Sequence, residues 1–130
     1  MLAADPASRR LGIEISGVAP GAATASMTVR DDMVNGHGMC HGGYVFTLAD
    51  TAFAFACNTY DERTVAAGAD VSFLEPVAAG ETLTARATER SRRGRSGLYD
   101  VTVTRGDGAV VAEFRGRSRS LGTRMLDLSD

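Results

Sequence analysis

The tightest constraint on this chain is an apolar run with one charge at its centre. Residues 35–60 read NGHGMCHGGYVFTLADTAFAFACNTY, and between Gly43 and Tyr60 the only charged side chain is Asp50. At 3.6 residues per turn, Phe46, Phe53 and Cys57 share the face of Asp50, while Val45, Leu48, Ala52 and Phe55 lie opposite. The spacing predicts a helix over residues 43–58 that is apolar on every side, which makes it a buried helix. It falls short of the about 20 apolar residues that span a bilayer, so it needs other parts of the fold around it. A carboxylate buried without a partner costs several kcal/mol. Asp50 therefore has to be hydrogen-bonded, paired, neutralised or used.

The rest of the chain supplies strands. Leu11, Ile13 and Ile15 alternate as one face of a strand, Pro20-Gly21 turns the chain, and Ala25, Met27 and Val29 alternate with Thr24, Ser26 and Thr28 on the way back. Beyond the helix, residues 64–74 read as a strand closed by Pro76, with Val71 and Phe73 on one face. Residues 81–92 set Leu83, Ala85 and Ala87 against Thr82, Thr84 and Arg86, and residues 96–105 place Tyr99, Val101 and Val103 on one side. Gly106-Asp107-Gly108 is a hairpin signal. It leads into residues 109–119, with Val111, Glu113 and Arg115 on one face and Val110, Ala112 and Phe114 on the other. Residues 1–10 read as a loose or short helical lead-in and residues 121–130 as a polar tail.

Two strands, one apolar helix and four strands on short turns make an α+β domain with a six-stranded antiparallel sheet. One long buried helix among six twisted strands is accommodated if the sheet curls around it and buries its whole girth. That arrangement is the hot-dog fold, expected here as a single domain over residues 1–130. An open sheet leaves edges that native proteins cover or pair, so at least a dimer is expected.

Charge and cysteine usage exclude other classes. All 14 basic residues are Arg, against 16 acidic ones, a near-balance that argues against nucleic acid or a membrane surface as the partner. Cys40 and Cys57 form no CxxC pair and read as reduced thiols of a cytoplasmic protein, and the first 14 residues carry charge rather than an apolar signal core. A local run, Arg86, Arg90, Arg92, Arg93 and Arg95, reads either as a solvated strand end or as a dock for an anionic group such as a nucleotide phosphate.

Ahead of the helix stands His41-Gly42-Gly43. Glycines there let a ligand approach the backbone, and the first amides of a helix point outward at the positive end of its dipole. Such amides suit the developing oxyanion of an acyl transfer. Asn35, His37 and His41 share the loop, and His41 is the better placed to position a substrate. Two histidines around Cys40 lack the ligands for a metal site, neither cysteine has the surroundings of a nucleophile, and no serine sits in a nucleophile elbow. Gly42 and Asp50 stand eight residues apart, about 12 Å along one helix at 1.5 Å per residue. A site that uses both is therefore expected to take Gly42 from one subunit and Asp50 from the other.

The segment NGHGMCHGGYVFTLADTAFAFACN resembles the signature of the PaaI-type acyl-CoA thioesterases, and the likeness runs on through VSFLEPVAAGETLTA and YDVTV to FRGRS. The resemblance implies that Asp50 is nucleophile or general base and that Gly42 supplies the oxyanion amide. It further implies that Asn35 and His41 place the thioester or the water, and that Thr51 stands beside the aspartate. Arg117 and Arg119 stand where the family often carries a lysine and a histidine, and Arg92, Arg93 and Arg117 are the candidates for the nucleotide end of coenzyme A. The implied reaction cleaves an acyl-CoA, aromatic such as phenylacetyl-CoA or hydroxyphenylacetyl-CoA, or medium-chain. It needs no metal and no cofactor beyond the coenzyme A of its substrate, and a homodimer, doubled to a homotetramer, would carry it out. A hot-dog hydratase pairs its aspartate with a downstream histidine, and none follows His41. A non-catalytic acyl-CoA sensor would have no use for Asp50.

Overall fold

A computed structural model of the chain describes residues 5–124. The elements are α1 (Pro6–Arg10), β1 (Glu14–Ala19), β2 (Ala22–Thr28), α2 (Gly42–Cys57), β3 (Thr64–Phe73), β4 (Thr82–Arg93), β5 (Ser96–Thr104) and β6 (Val110–Ser120). Residues 1–4 of the expected lead-in and 125–130 of the expected tail lie outside the described residues. All strand pairs are antiparallel, in the order β1-β2-β4-β5-β6-β3. The passage through α2 thus carries the chain from β2 to the far edge, and the connection after β3 returns it to β2's other side.

Residue size decides how α2 lies on the sheet. Leu48, Ala49, Ala52 and Ala56 of the helix are fully buried, as are Ala25, Leu83 and Ala85 of β2 and β4. Small side chains on both surfaces let the helix settle closely there. On its other flank large rings fill the space: Phe53 packs 5.6 Å from Tyr99 and 5.8 Å from Phe114, and Phe46 packs edge-on 5.3 Å from Phe114. Phe53 fits because β6 carries Gly116 beneath it, where an added Cβ would lie 2.8 Å from the ring. Any side chain at Gly116 would push out a ring whose burial is worth about 1.5–3 kcal/mol. Asn58 ends the helix, donating from Nδ2 to the carbonyls of Ala54 (2.8 Å) and Thr64 (3.1 Å).

Three sequence expectations change. Leu11 caps the end of α1, so the first strand begins at Glu14. Val111 is 1% exposed rather than sharing an outer face with Glu113 and Arg115. A bulge explains this, since Val103 pairs with Ala112 and Thr104 with Val110, leaving Val111 as the extra residue. The sheet also does not bury the whole girth of α2: Tyr44, Phe46, Thr47, Asp50, Ala54 and Phe55 are only half-buried. Six strands curl over one side of the helix and stop at β3, whose outer edge has no partner strand among the described residues and beside which Val65 (44%), Phe73 (53%) and Leu74 (55%) are exposed.

Candidate active site

Asp50 sits in the middle of α2, on the face left half-covered. Among the described residues its carboxylate has no hydrogen-bond or ion-pair partner. Burial first, and the charge of Asp5 second, push its pKa above the ordinary aspartate value. The carboxylate is thereby made a stronger base than a solvated one. About two helical turns further along the same side, burial pushes the Cys57 thiol up to about 12, with the charge of Asp50 adding to the shift. Cys57 is therefore a neutral packing residue.

At the helix N-terminus the amides are divided. His41 is the N-cap, and its Nδ1 accepts from Gly43 N–H at 3.3 Å, while its carbonyl accepts from Tyr44 N–H at 3.0 Å. Accepting at Nδ1 places the ring's own N–H on Nε2. The Gly42 amide is left with no acceptor among the described residues. Gly42 lines a cavity of about 390 Å³ that Asn35 also lines. Asn35 holds the preceding loop in shape, because its Oδ1 accepts from the amides of His37 (2.9 Å) and Met39 (3.3 Å). Both partners are donors, so the oxygen faces the loop and the amide NH₂ is free to face elsewhere. His37 is exposed on the same loop.

Thr51 is about 100° round the helix from Asp50 and is occupied with the N-terminal segment. Its Oγ1 donates to the carbonyl of Thr47 (2.8 Å) and lies 2.9 Å from the Ser8 hydroxyl, which donates to Asp5 at 2.7 Å. Ser8 is 1% exposed. These contacts pin α1 onto α2 and so bring the charge of Asp5 near Asp50.

The arginines separate. Arg92 stacks on Tyr60, its guanidinium carbon 3.8 Å from the ring centroid, and lies 3.8 Å from Glu62. Arg93, the next residue on β4, points to the other side. There it lines a cavity of about 440 Å³ together with Arg117, Arg119, Ser91 and Ser96. Arg117 is tied to Asp70 at 3.1 Å. Sequence neighbours on a strand face opposite ways, so Arg93 and Arg117 come together and Arg92 does not join them.

The same fold recurs in known proteins. The thioesterase superfamily matches residues 37–112, more than half of the chain. The chain belongs to that superfamily. It is 44% identical over 118 residues to the acyl-coenzyme A thioesterase PaaI of Escherichia coli, covering 91% of this chain and 84% of that one. The solved structure of E. coli PaaI, from the phenylacetic acid degradation operon, superposes with a TM-score of 0.94 at 43% identity, covering 95% of this chain and 90% of that chain. A Thermus thermophilus protein superposes with a TM-score of 0.86 at 38% identity, covering 90% and 98%. The fold is accordingly the hot-dog fold of the thioesterase superfamily, and the protein is an enzyme of the thioester hydrolase class.

For a superfamily member, two features of this site were not legible beforehand. Phe73 lies against Gly42: an ideal Cβ on that glycine would sit 3.0 Å from the ring tip, so a side chain there would make the ring give way slightly. At the other end of the site, Ser8 meets Thr51 of the Asp50 helix across 43 residues of chain, and Asp5 acts on Asp50 by its charge. Strand alternation placed Phe73 on one face with Val71, and only the packing shows that its ring lies against a helix end.

Proposed function

We propose that the protein hydrolyses acyl-coenzyme A thioesters, and that each active site joins Asp50 of one subunit to the Gly42 amide of the other. The observation that carries this is the pairing of two unused groups on one helix, the carboxylate without a partner and the amide without an acceptor. They are about 12 Å apart along the axis. A thioester carbonyl needs its oxyanion donor at about 3 Å and its attacking group at about 3–3.5 Å, so a single helix cannot supply both. Two antiparallel copies of α2 about a two-fold axis do. Pairing the free β3 edge with its copy gives that axis and covers an unpaired strand. The name and 44% identity of the E. coli relative support the substrate class.

In this reading Asp50 takes a proton from water as the water oxygen attacks the thioester carbon. The charge that develops on the carbonyl oxygen is held by the Gly42 amide and the helix dipole. The carbon–sulfur bond then breaks, and the departing thiolate recovers the proton from Asp50, leaving free acid and coenzyme A. His41 and Asn35 hold the loop that presents the amide. Arg93 and Arg117 receive the phosphates at the nucleotide end, where arginine's fork of donors suits them. No metal or further cofactor enters the reaction, and two free cysteines suit a reducing cytoplasm.

The test is release of free thiol from a panel of acyl-CoAs, followed by complementation. Asp50→Asn and Gly42→Pro are prepared separately, the second because proline removes the amide donor while tolerating the first helical position. The Phe73 ring beside it is exposed at its rim and has room to shift. Refolded together, the two dead variants should recover about a quarter of wild-type activity, since half of the dimers are mixed and each has one intact site. Mixtures that exchange subunits and stay inactive would sink the shared site.

A further inference from the structure

The cavity that opens beside the Gly42 amide has a composition of its own. Its volume is about 390 Å³, and Val45, Phe73, Leu74, Val77 and Val111 give it apolar walls. The depth is closed, with Val45 (4%), Val77 (4%) and Val111 (1%) buried, while Phe73 (53%) and Leu74 (55%) form the exposed rim. An apolar pocket of this size with a few polar groups at its mouth is built for a small ligand.

Among the described residues that line the cavity, the one acidic side chain is Glu75, which is exposed. Asn35 is neutral, and burial raises the pKa of the Cys40 thiol, keeping it neutral too. Arg105 is within electrostatic reach of Glu75. Its Nε, however, is held by both oxygens of Asp107 at 3.0 and 3.1 Å, and its Nη1 donates to the Pro76 carbonyl. The charge of Glu75 is therefore not neutralised by a direct partner.

Resting on the thioesterase reading above, we propose that this cavity takes the acyl group, that Phe73 is the wall the acyl chain passes on leaving the Gly42 amide, and that Glu75 makes the pocket select uncharged acyl groups over those ending in a carboxylate. A second carboxylate would be rejected twice. Apolar walls strip its water, and Glu75 meets it with like charge, a repulsive element of the kind that sets specificity. A neutral chain or ring meets neither obstacle.

Hexanoyl-CoA and adipyl-CoA test this cleanly, since both carry six acyl carbons and differ in a terminal methyl against a carboxylate. The wild-type enzyme should favour hexanoyl-CoA at least about 100-fold in kcat/KM. Glu75→Gln should narrow that ratio about tenfold, because the like charge is removed and the apolar walls remain. Raised salt should narrow the wild-type ratio and leave that of Glu75→Gln steady, since an exposed charge is screened. Phe73→Ala should raise KM for hexanoyl-CoA. The same pair, measured as dissociation constants on Asp50→Asn, reads the preference whether or not any thioester is cleaved. Failure of cleavage with the preference intact would overturn the hydrolase reading and support the pocket. Cleavage with a wild-type ratio below about three, or a ratio that Glu75→Gln leaves unmoved, would overturn the pocket. Binding of neither ligand would overturn it as well.

Discussion

Two aspartates of this protein are treated in opposite ways. Asp50, on the half-covered side of α2, is without a partner among the described residues, and its pKa is raised by burial and then by Asp5. Asp100, on the outer face of β5, is gripped by Arg115 (2.7 and 2.9 Å) and Arg90 (2.7 Å), and these partners, Arg115 foremost, hold its pKa down to about 2. The protein had arginines to spare and placed none by Asp50. An aspartate that serves structure is ion-paired, whereas one that serves as a base has to stay unpaired and keep its affinity for a proton. The mechanism proposed above thus gives the role of base to the aspartate whose pKa is governed by burial and not by an ion pair.

The largest effect that would break this contrast is at Asp50 itself. Asp50→Asn should lower thiol release by about 10³-fold without lowering the melting temperature at pH 7, because the amide resembles the neutral acid that the folded site favours. A variant that melts lower yet keeps its activity per folded molecule would make Asp50 structural, like Asp100.

The arginines repeat the contrast on a smaller scale. Arg90 and Arg115 are committed to Asp100, whereas Arg93 has no ion pair among the described residues and borders the cavity that Arg117 shares. Arg93→Ser should raise KM for an acyl-CoA about tenfold and leave kcat almost unmoved, with the effect shrinking at high salt. The same substitution at Arg90 should leave KM alone.

Asp100→Asn should cost about 1 kcal/mol of stability, the value for an ion pair whose arginines are more than half exposed to screening solvent (57% and 52%). Thermal melting reads this loss, and activity per folded molecule should persist.

The pH dependences then run in opposite directions. A depressed pKa means that Asp100 contributes stability above its unfolded value, near 3.9, and loses it as pH falls toward about 2. A raised pKa means that ionising Asp50 lowers stability as pH climbs from that same unfolded value through the folded one. The proposed mechanism uses the ionised form, so kcat/KM should rise with pH across a window above the ordinary aspartate range. Asp5→Asn should move that rise slightly to lower pH, the smallest of these effects, since Asp5 ranks behind burial as a cause. A pH profile that ignores Asp5 would reduce α1 to a packing element.

How much of this could be read beforehand depends on the range of the interaction concerned. The candidate site was legible at Asp50, Gly42 and His41, because a lone charge in an apolar run and a glycine pair before a helix are signals of a few residues. Thr51 was legible only as a neighbour of Asp50. Its hydroxyl answers to Ser8, and nothing between residues 8 and 51 announces that meeting. Arg92 and Arg93 looked like one basic feature, and the pleat of β4 sent them apart toward Tyr60 and Arg117.

By itself the sequence determined the order of elements, the turns at Pro20-Gly21 and Gly106-Asp107-Gly108, and the apolar helix with its single aspartate. Hydrophobic period and turn chemistry are local, and each is decided by neighbours a few residues away. Tertiary structure alone decided that β3 crosses to the far edge, that a bulge turns Val111 inward, and that Phe73 closes over Gly42 to shape a cavity with Glu75 at its mouth. Those outcomes depend on which distant surfaces pack together at native density, and packing is a property of the assembled chain that no window of neighbouring residues contains.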